Sequence, residues 1–311
     1  MSLIAAAHLK PLATIADHVP VKVRWIVCAV WVGLGGLLGA PIAPGLADGL
    51  MGAVRIRAQA AHPKRGVASS QYLASDPGAL SRIGASWAYD WSVTPPPRRS
   101  SVAWTPMVWG IDSMTPTARA SLEAAKRSGR VDDLLGFNEP DSSSQSNLSP
   151  EQAANLWPWL ERTGLRLGSP APAVPTDGWL TRFMSIARAR HLRVDFIALH
   201  YYQDFTNPDA VDELRQQLVA IHDRYLRPIW ITEIGALDIR SWHQPMMHAP
   251  TTALANNYMR NLFAMLDSLR FVQRYAWFTD ECWPDTSCRA SSLFTQTGRL
   301  TPLGSTFATA P

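Results

Sequence analysis

The 311-residue chain is long enough for one large domain, and 47% of its residues are hydrophobic. Only 17% of the residues are charged, a composition that excludes an intrinsically disordered or coiled-coil protein. The formal net charge is +4, but the basic residues are scattered along the chain. Because the sequence has neither a dense Lys/Arg tract nor a Gly-rich phosphate loop, we expect no nucleic-acid partner.

The first 60 residues differ in composition from the rest of the chain. Lys22 and Arg24 precede an uncharged apolar run, Trp25–Leu38, which is followed by prolines and small residues. This order is typical of a signal peptide, with cleavage expected after Ala47 or Ala60. An uncleaved membrane anchor is the alternative, because the longer stretch Trp25–Ala43 could just span a bilayer, which needs about 20 residues. In both cases we expect a secreted or periplasmic protein whose only membrane contact is through this segment.

From residue 64 onward, short apolar runs alternate with helical stretches. Each run has the length of a strand and ends in polar or aromatic residues. We predict eight strands: Gly66–Ser70, Ala85–Trp91, Val102–Trp109, Leu134–Glu139, Arg166–Ser169, Phe196–Tyr202, Ile229–Glu233 and Tyr275–Thr279.

Start signals and apolar spacing predict helices between several of these strands. Thr115-Pro116 opens a helix over Thr117–Ser128, and Ser149-Pro150 opens one that runs through Leu160. Asn207-Pro208 opens a third, which runs through Tyr225. The segment Ser241–Pro250 reads as a long loop after strand seven.

Eight strand–helix units between residue 64 and residue 311 match the usual size of a (β/α)8 barrel, about 250 residues. An open doubly wound sheet is the competing α/β fold, but no glycine fingerprint for a dinucleotide follows the first strand. We therefore predict a single domain, an α/β (β/α)8 TIM barrel, over residues 64–311.

Of the three cysteines, Cys28 lies in the apolar leader. The other two, Cys282 and Cys288, are six residues apart in a polar stretch that contains proline. In an exported chain this spacing predicts a short-loop disulfide. Because no second cysteine pair or close histidine pair accompanies them, we expect no metal site.

Two glutamates lie at the carboxyl ends of predicted strands, where the active-site residues of a (β/α)8 barrel are found. Glu139 ends predicted strand four and Glu233 ends predicted strand seven, so the two are expected to face each other across the barrel mouth. Hydrolysis of a glycosidic bond needs two carboxyl groups that flank the bond. A lone glutamate at a strand end is more often a solvated carboxylate, whereas this pair predicts a glycoside hydrolase site.

Several strand ends together resemble the pattern of glycosidase clan A: Asn138-Glu139, His200-Tyr201-Tyr202, Glu233 and Trp277. Longer segments resemble the alkali-sensitive-linkage-like glycosyl hydrolases, glycoside hydrolase family 128: Thr105–Gly110, Leu134–Asp141, Phe196–His200, Pro228–Glu233, Arg274–Phe278 and Leu300–Gly304. The resemblance runs from about Lys64 to the C-terminus. It implies a retaining endo-β-1,3-glucanase that acts on β-glucan without a cofactor. We expect a monomer.

A retaining mechanism assigns a role to each site residue. Glu139 is expected to be the general acid/base and Glu233 the nucleophile. Tyr202 is expected to donate a hydrogen bond that holds Glu233, and Asn138 to bind the sugar 2-hydroxyl. His200 is expected to line the same wall, with a buried, hydrogen-bonded core histidine as the alternative.

Aromatic strand-end residues predict the sugar-binding surface. Trp277 is expected to form the floor of the central subsite by stacking. Trp91 and Trp109 are candidate platforms, with core packing as the alternative. Asp90 stands where the family commonly has asparagine, and it is expected to line the groove. Strand one ends in Ala68-Ser69-Ser70, where an aromatic residue and an amide are expected, so subsite preference stays open.

Other functions remain compatible with the sequence. A non-catalytic β-1,3-glucan-binding barrel would keep the aromatic platforms but could lose a carboxylate, and both carboxylates are present. A clan A glycosidase of another linkage specificity would share all of these features. A metal-dependent barrel hydrolase needs a ligand cluster such as His-x-His at its strand ends, and strand one offers none.

Overall fold

The computed structural model describes residues 62–97, 100–237, 252–281 and 290–311. The predicted leader (1–60), the predicted loop Ser241–Pro250 and the cysteines Cys282 and Cys288 lie outside these ranges, so the leader and the disulfide stay predictions. Within the described ranges, no helix has the length and apolar character needed to cross a membrane.

The eight strands pair only in parallel and follow one another around a closed ring. Six form one sheet, in the order β3-β2-β1-β8-β7-β6, and β4 pairs with β5. Single parallel bridges, Met107 to Leu135 and Gly168 to Phe196, join the two sheets. The predicted (β/α)8 barrel is therefore confirmed. The strands are β1 (Arg65–Ala68), β2 (Trp87–Tyr89), β3 (Ala103–Trp104), β4 (Asp133–Leu134), β5 (Arg166–Leu167), β6 (Ile197–Tyr201), β7 (Ile229–Ile234) and β8 (Val272–Phe278).

The three helices with predicted start signals begin at or close to those signals. Thr115 caps one helix by accepting a hydrogen bond from the Ala118 N–H, and Ser149 and Gln152 form a capping box at the next. The third predicted helix begins at Ala210 and ends at Tyr225. The helices are α1 (Tyr72–Ser75), α2 (Pro77–Arg82), α3 (Pro116–Arg127), α4 (Pro150–Glu161), α5 (Trp179–Ala189), α6 (Ala210–Tyr225), α7 (Thr252–Ser268) and α8 (Pro302–Thr309).

Every strand lies where it is predicted but differs from its prediction in length, and β3 and β8 show two physical reasons. The regular part of β3 ends at Trp104, before Pro106, which has no N–H for the ladder. The chain continues beside the next strand through single bonds, such as Val108 N to Leu135 O at 3.0 Å. In contrast, β8 begins earlier than predicted, at Val272. Arg274, in this added part of the strand, forms an ion pair at the base of the barrel, with its Nη2 3.5 Å from Asp133 Oδ2.

Successive side chains of each strand alternate between the barrel interior and the surrounding helix layer. The interior is filled by large aromatic rings, among them Phe196 and Trp230, whose ring centroids are 4.1 Å apart. Two glycines make room for this packing. A Cβ on Gly66 would lie 2.4 Å from the Trp87 indole, and one on Gly168 would lie 2.5 Å from the Phe196 ring. The barrel interior is therefore a packed aromatic core, with the Arg274–Asp133 ion pair at its base.

Candidate active site

The two predicted glutamates meet at the carboxyl ends of the strands. Glu139 follows β4, and Glu233 lies within β7, where the strand register pairs it with His200 of β6. One oxygen of each glutamate and one ring nitrogen of His200 all lie within 4.8 Å of one another. Glu233 is buried, while Glu139 keeps a partly exposed carboxyl group. The mouth of the barrel thus holds a close carboxyl pair with a histidine between them.

Three side chains donate hydrogen bonds to the carboxylate of Glu233. Tyr89 Oη lies 2.9 Å and Trp91 Nε1 2.8 Å from Glu233 Oε1. Tyr202 Oη donates to the other oxygen, Oε2. Burial, followed by the negative charge of Glu233, raises the pKa of both tyrosines well above the usual range, so both hydroxyls remain donors. Three donors therefore hold the Glu233 carboxyl group in one orientation.

Glu139 is fixed mainly through its backbone and through one side-chain contact. Its φ is 38°, and that of Trp91 is 55°, so both residues adopt the left-handed conformation that non-glycine residues rarely take. Such strain persists only where the surrounding structure enforces it, and here it points two side chains into the mouth. The Glu139 N–H donates to Ala171 O at 2.8 Å, and the carboxyl Oε1 lies 2.9 Å from His200 Nδ1.

His200 is completely buried and lies between the two glutamates. Burial is the largest influence on its pKa and lowers it, but the charges of Glu233 and Glu139 and the hydrogen bond to Glu139 raise the pKa above the usual value overall. Its Nε2 is 3.3 Å from Glu233 Oε1, although without hydrogen-bond geometry. His200 is therefore a buried, hydrogen-bonded histidine that also lines the site, so both of its predicted descriptions apply.

Asn138 lies beside Glu139 with 3% of its surface exposed. Its amide Nδ2 donates to Gln145 Oε1 at 3.1 Å, which fixes the side chain. Its Oδ1 is buried and has no hydrogen-bond partner among the residues that the structure describes. A buried polar atom without a partner is costly, so this oxygen is an acceptor available for a ligand next to Glu139.

The prediction for Trp277 is wrong. The ring is fully buried in the layer between barrel and helices, where it packs edge-on against Phe263, and its Nε1 donates to Ser291 O at 2.7 Å. Because successive strand residues alternate in direction, the next residue, Phe278, points into the mouth instead. Phe278 is partly buried, and its ring lies 5.9 Å from both the Trp91 and the Tyr202 ring.

Asp90 and Ser69 also lie away from the glutamates. Asp90 Oδ1 accepts a hydrogen bond from Trp104 Nε1 at 3.2 Å, on the strand face opposite to its neighbours Tyr89 and Trp91, and burial raises its pKa. The expectation that Asp90 lines the groove is therefore not supported by its position. Ser69 is buried with its hydroxyl on Asp280. Trp109 is partly buried against the interior aromatic cluster in the same way as Trp91 and Phe278, and its role as a platform stays a prediction.

Sequence reasoning missed Tyr89 and Phe278 as site residues. Tyr89 and Trp91 are two residues apart, so they share a strand face, and this spacing could have indicated that both reach Glu233. For Phe278 the sequence carries no such signal, because Tyr275–Phe278 is apolar throughout and both faces of the strand are covered.

Within the described part of the chain, one group of side chains has donor atoms close enough to hold a metal ion, and it is the same trio, Glu139, His200 and Glu233. The atoms of this group already contact one another and the donors to Glu233. The expected absence of a metal stays a prediction, which activity in excess EDTA will test.

The chain resembles known proteins over the whole barrel. The family described as glycosyl hydrolase catalytic core matches residues 66–307. No curated protein sequence matches the chain. A solved subgroup I endo-β-1,3-glucanase of glycoside hydrolase family 128, from Amycolatopsis mediterranei in complex with laminaritriose, is 37% identical, with a TM-score of 0.69. That match covers 80% of this chain and 100% of the other.

Two further solved structures come from other subgroups of the same family. A subgroup II endo-β-1,3-glucanase from Pseudomonas viridiflava is 32% identical, with a TM-score of 0.62, over 80% of this chain and 98% of the other. A subgroup III curdlan-specific exo-β-1,3-glucanase from Blastomyces gilchristii is 28% identical, with a TM-score of 0.64, over 80% of this chain and 100% of the other.

The barrel has paired carboxyl groups at its mouth and matches known glycosyl hydrolases. Together these findings identify the chain as a glycoside hydrolase. More specifically, the chain belongs to the glycosyl hydrolase catalytic core family and, within it, to glycoside hydrolase family 128.

Proposed function

We propose that the chain is a retaining endo-β-1,3-glucanase in which Glu233 is the nucleophile and Glu139 the general acid/base. The observation that carries the mechanism is the closeness of the two carboxyl groups, which have one oxygen each within a group of atoms no more than 4.8 Å apart. Retaining enzymes place these groups about 5–5.5 Å apart, whereas inverting enzymes need about 6.5–9.5 Å to admit a water. The short separation in this site supports the retaining mechanism.

Glu233 is suited to attack the anomeric carbon. Its three donors, Tyr89, Trp91 and Tyr202, orient the carboxylate and stabilise its charge without transferring a proton to it. In the first step a bond forms between a Glu233 oxygen and the anomeric carbon, while the bond to the leaving oxygen breaks. The product of this step is a glycosyl ester, in which Glu233 no longer carries a charge.

Glu139 is suited to move the proton in both steps. It is the more exposed of the two glutamates, with 16% of its side chain accessible, so a leaving oxygen and then a water can reach it. In the first step its proton passes to the leaving oxygen, and in the second it takes a proton from the water that attacks the ester. The free Oδ1 of the neighbouring Asn138 can accept a hydrogen bond from the sugar 2-hydroxyl.

Support for the substrate comes from the similar structures. The Amycolatopsis mediterranei enzyme is described as an endo-β-1,3-glucanase, and variants that each lack one glutamate were solved with laminari-oligosaccharides. Its 37% identity exceeds the 28% identity of the exo-β-1,3-glucanase, which favours endo action for this chain. The partly exposed rings of Trp91 and Phe278 supply the apolar faces that a sugar ring stacks on.

The test is a screen of the purified protein on β-1,3-, β-1,4- and mixed-linkage glucans. Endo action on β-1,3-glucan yields a mixture of oligosaccharides from the first minutes, whereas exo action releases a single small sugar. Proton NMR of fresh products is expected to show the β-anomer first, as retention requires. Hydrolysis confined to another linkage would reject the substrate assignment, and binding of laminaripentaose without hydrolysis would identify a non-catalytic glucan-binding barrel.

A further inference from the structure

Asp280 is a buried carboxylate that the proposed reaction does not use. It follows β8 by two residues and has no accessible surface. The hydroxyl of Ser69 lies 2.5 Å from its Oδ2. Backbone N–H groups also donate to its two oxygens at 2.7–3.3 Å: those of Ser70, Gln71, Tyr72 and Glu281. One side chain therefore ties the exit of β8 to the whole loop that leaves β1.

These contacts account for the departure from the family pattern at the end of strand one. The Ser69 hydroxyl bonds Asp280 and also accepts the Leu73 N–H at 2.8 Å, which anchors the start of the first helical turn. Ser70 Oγ lies 2.8 Å from Asp280 Oδ1. The hydroxyl groups at both positions therefore bind Asp280, just after β8.

The contacts require an acceptor at both oxygens of Asp280. Both oxygens of Asp280 accept N–H donors, and within the described ranges the groups bonded to it are neutral donors. Several backbone N–H groups can together balance a buried negative charge. An amide at this position keeps one acceptor oxygen, but its NH₂ group would face N–H donors and leave them unsatisfied.

Asp280 lies two residues after Phe278, whose ring faces the site. Phe278 O accepts a hydrogen bond from Ser291 Oγ, and a Cβ on Gly235 of the β7 exit would lie 2.5 Å from that same oxygen. The Phe278 ring contacts Trp91 and Tyr202, both of which donate to Glu233. A shift of the β8 exit therefore reaches the donors of the nucleophile through direct contacts.

We infer that Asp280 is a positioning residue for glucan hydrolysis: its carboxylate fixes the β8 exit on the β1 loop and thereby keeps Phe278 against the donors of Glu233. This inference rests on the proposed function. A purely stabilising residue would affect activity whether or not the Phe278 ring is present. The effect of Asp280 on activity is instead expected to depend on that ring.

The experiment is a double-mutant cycle on kcat/KM for soluble β-1,3-glucan, measured well below the melting temperature of each variant. Asp280→Asn is expected to lower kcat/KM about tenfold in the wild-type background, since misplacement of a site by about 1 Å costs up to about 100-fold. In the Phe278→Ala background the same change is expected to cost less than about twofold, because the ring it positions is absent. Equal losses in both backgrounds would overturn the inference, as would unchanged activity of the single variant.

Two further variants keep the test decisive. Ser69→Ala removes one hydrogen-bond donor to Asp280. If Asp280→Asn does not fold, the cycle is run with Ser69→Ala, for which about a threefold loss of kcat/KM is expected. Asp195→Asn is the matched control, because this carboxylate accepts the Leu167 N–H at 2.7 Å at the opposite end of the barrel. It is expected to lower the melting temperature without changing kcat/KM.

Crystal structures of the wild type and of Asp280→Asn give a readout that does not depend on the substrate. The Phe278 ring is expected to move by more than about 1 Å relative to Tyr202, a displacement large enough to affect catalysis. An unmoved ring overturns the inference. If the wild type hydrolyses no glucan, the proposed function fails while this comparison still decides whether Asp280 positions Phe278.

Discussion

His200 Nδ1 lies 2.9 Å from Glu139 Oε1, and the other nitrogen of the same ring lies 3.3 Å from Glu233 Oε1. One fully buried imidazole therefore spans the pair of carboxyl groups that the proposed reaction uses. Negative charge on either glutamate stabilises a proton on this ring.

This effect predicts a pH dependence of folding stability. The charges of Glu233, Glu139 and Asp141 raise the pKa of His200 in the folded protein, although burial opposes them as the largest single influence. The folded chain therefore binds this proton more tightly than the unfolded chain, in which a histidine has a pKa of about 6.5. The resulting stability is fully present below about pH 6.5 and is lost as the pH rises through the folded-state pKa.

Urea unfolding at a series of pH values measures this effect. Between wild type and His200→Gln, the difference in unfolding free energy is expected to shrink as the pH rises above about 6.5. His191→Asn is the control, because His191 is exposed and asparagine tolerates its positive φ of 57°. If the unfolding free energies of wild type and His200→Gln changed in parallel with pH, the proton on His200 would not contribute to folding stability.

Removal of a donor to Glu233 is expected to impair catalysis. Tyr202→Phe and Tyr89→Phe each delete one hydrogen bond to a buried carboxylate and leave the ring in place. A hydrogen bond to a charged group is worth about 1.5–3 kcal/mol, so kcat/KM is expected to fall about 10- to 100-fold. Tyr225→Phe, which loses only a contact with Thr181 between outer helices, is expected to retain wild-type activity. Full activity of both site variants would mean that these donors do not orient the nucleophile.

The two neighbouring aromatic residues at the end of β8 are expected to behave differently. Phe278→Ala removes a ring at the mouth and is expected to lower kcat/KM about tenfold, the upper range for one aromatic contact. Trp277→Phe removes an indole packed in the core and is expected to destabilise the fold by about 1–2 kcal/mol while kcat/KM is unchanged. Kinetics and thermal melts of both variants check this, and the opposite pattern would restore Trp277 as the sugar platform.

The prediction of Trp277 as the platform failed for a physical reason. Strands of a parallel barrel are covered on both faces, so Tyr275-Ala276-Trp277-Phe278 shows no alternation between polar and apolar residues. The direction of each side chain is instead set by pairing with β1, which aligns Val67 with Trp277 and Ala68 with Phe278. A shift of one residue in that register would exchange the two faces.

Other parts of the fold and site were predictable because their signals are local. Helix caps such as Ser149 with Gln152 act within one turn, and the order of strands and helices alone indicated the barrel. Glu139 and Glu233 could be found because each follows an apolar strand. The hydrogen bond from Tyr89 to Glu233 joins residues 144 positions apart, and no local pattern encodes such a contact.

Arg65 provides a test of the fold that is independent of catalysis. It is buried in β1, and its Nη1 donates to the backbone oxygens of Phe307 and Ala310, at 3.1 Å each, while its guanidinium lies over the Phe263 ring. Arg65→Met leaves these buried acceptors unsatisfied and is expected to cost about 2–4 kcal/mol of unfolding free energy.

Chemical denaturation of Arg65→Met measures this loss directly. Arg182→Met is the matched control, because its ion pair with Glu151 is largely exposed and screened by solvent, so its loss is expected to leave the unfolding free energy nearly unchanged. Equal stability of the two variants would show that Arg65 does not fasten β1 to the C-terminal helix.

The anomeric configuration of the glycosyl azides formed by two inactive variants tests the assigned roles most directly. In Glu233→Ala, azide can enter the vacated space and attack from the side of the nucleophile, so the account predicts an α-glucosyl azide from a β-linked substrate. In Glu139→Ala, an activated substrate still forms the ester with Glu233, and azide is expected to release it as the β-glucosyl azide. Proton NMR distinguishes the two products; exchanged configurations would reverse the assignment of the two glutamates, and unchanged hydrolysis of β-1,3-glucan by both variants would contradict the account altogether.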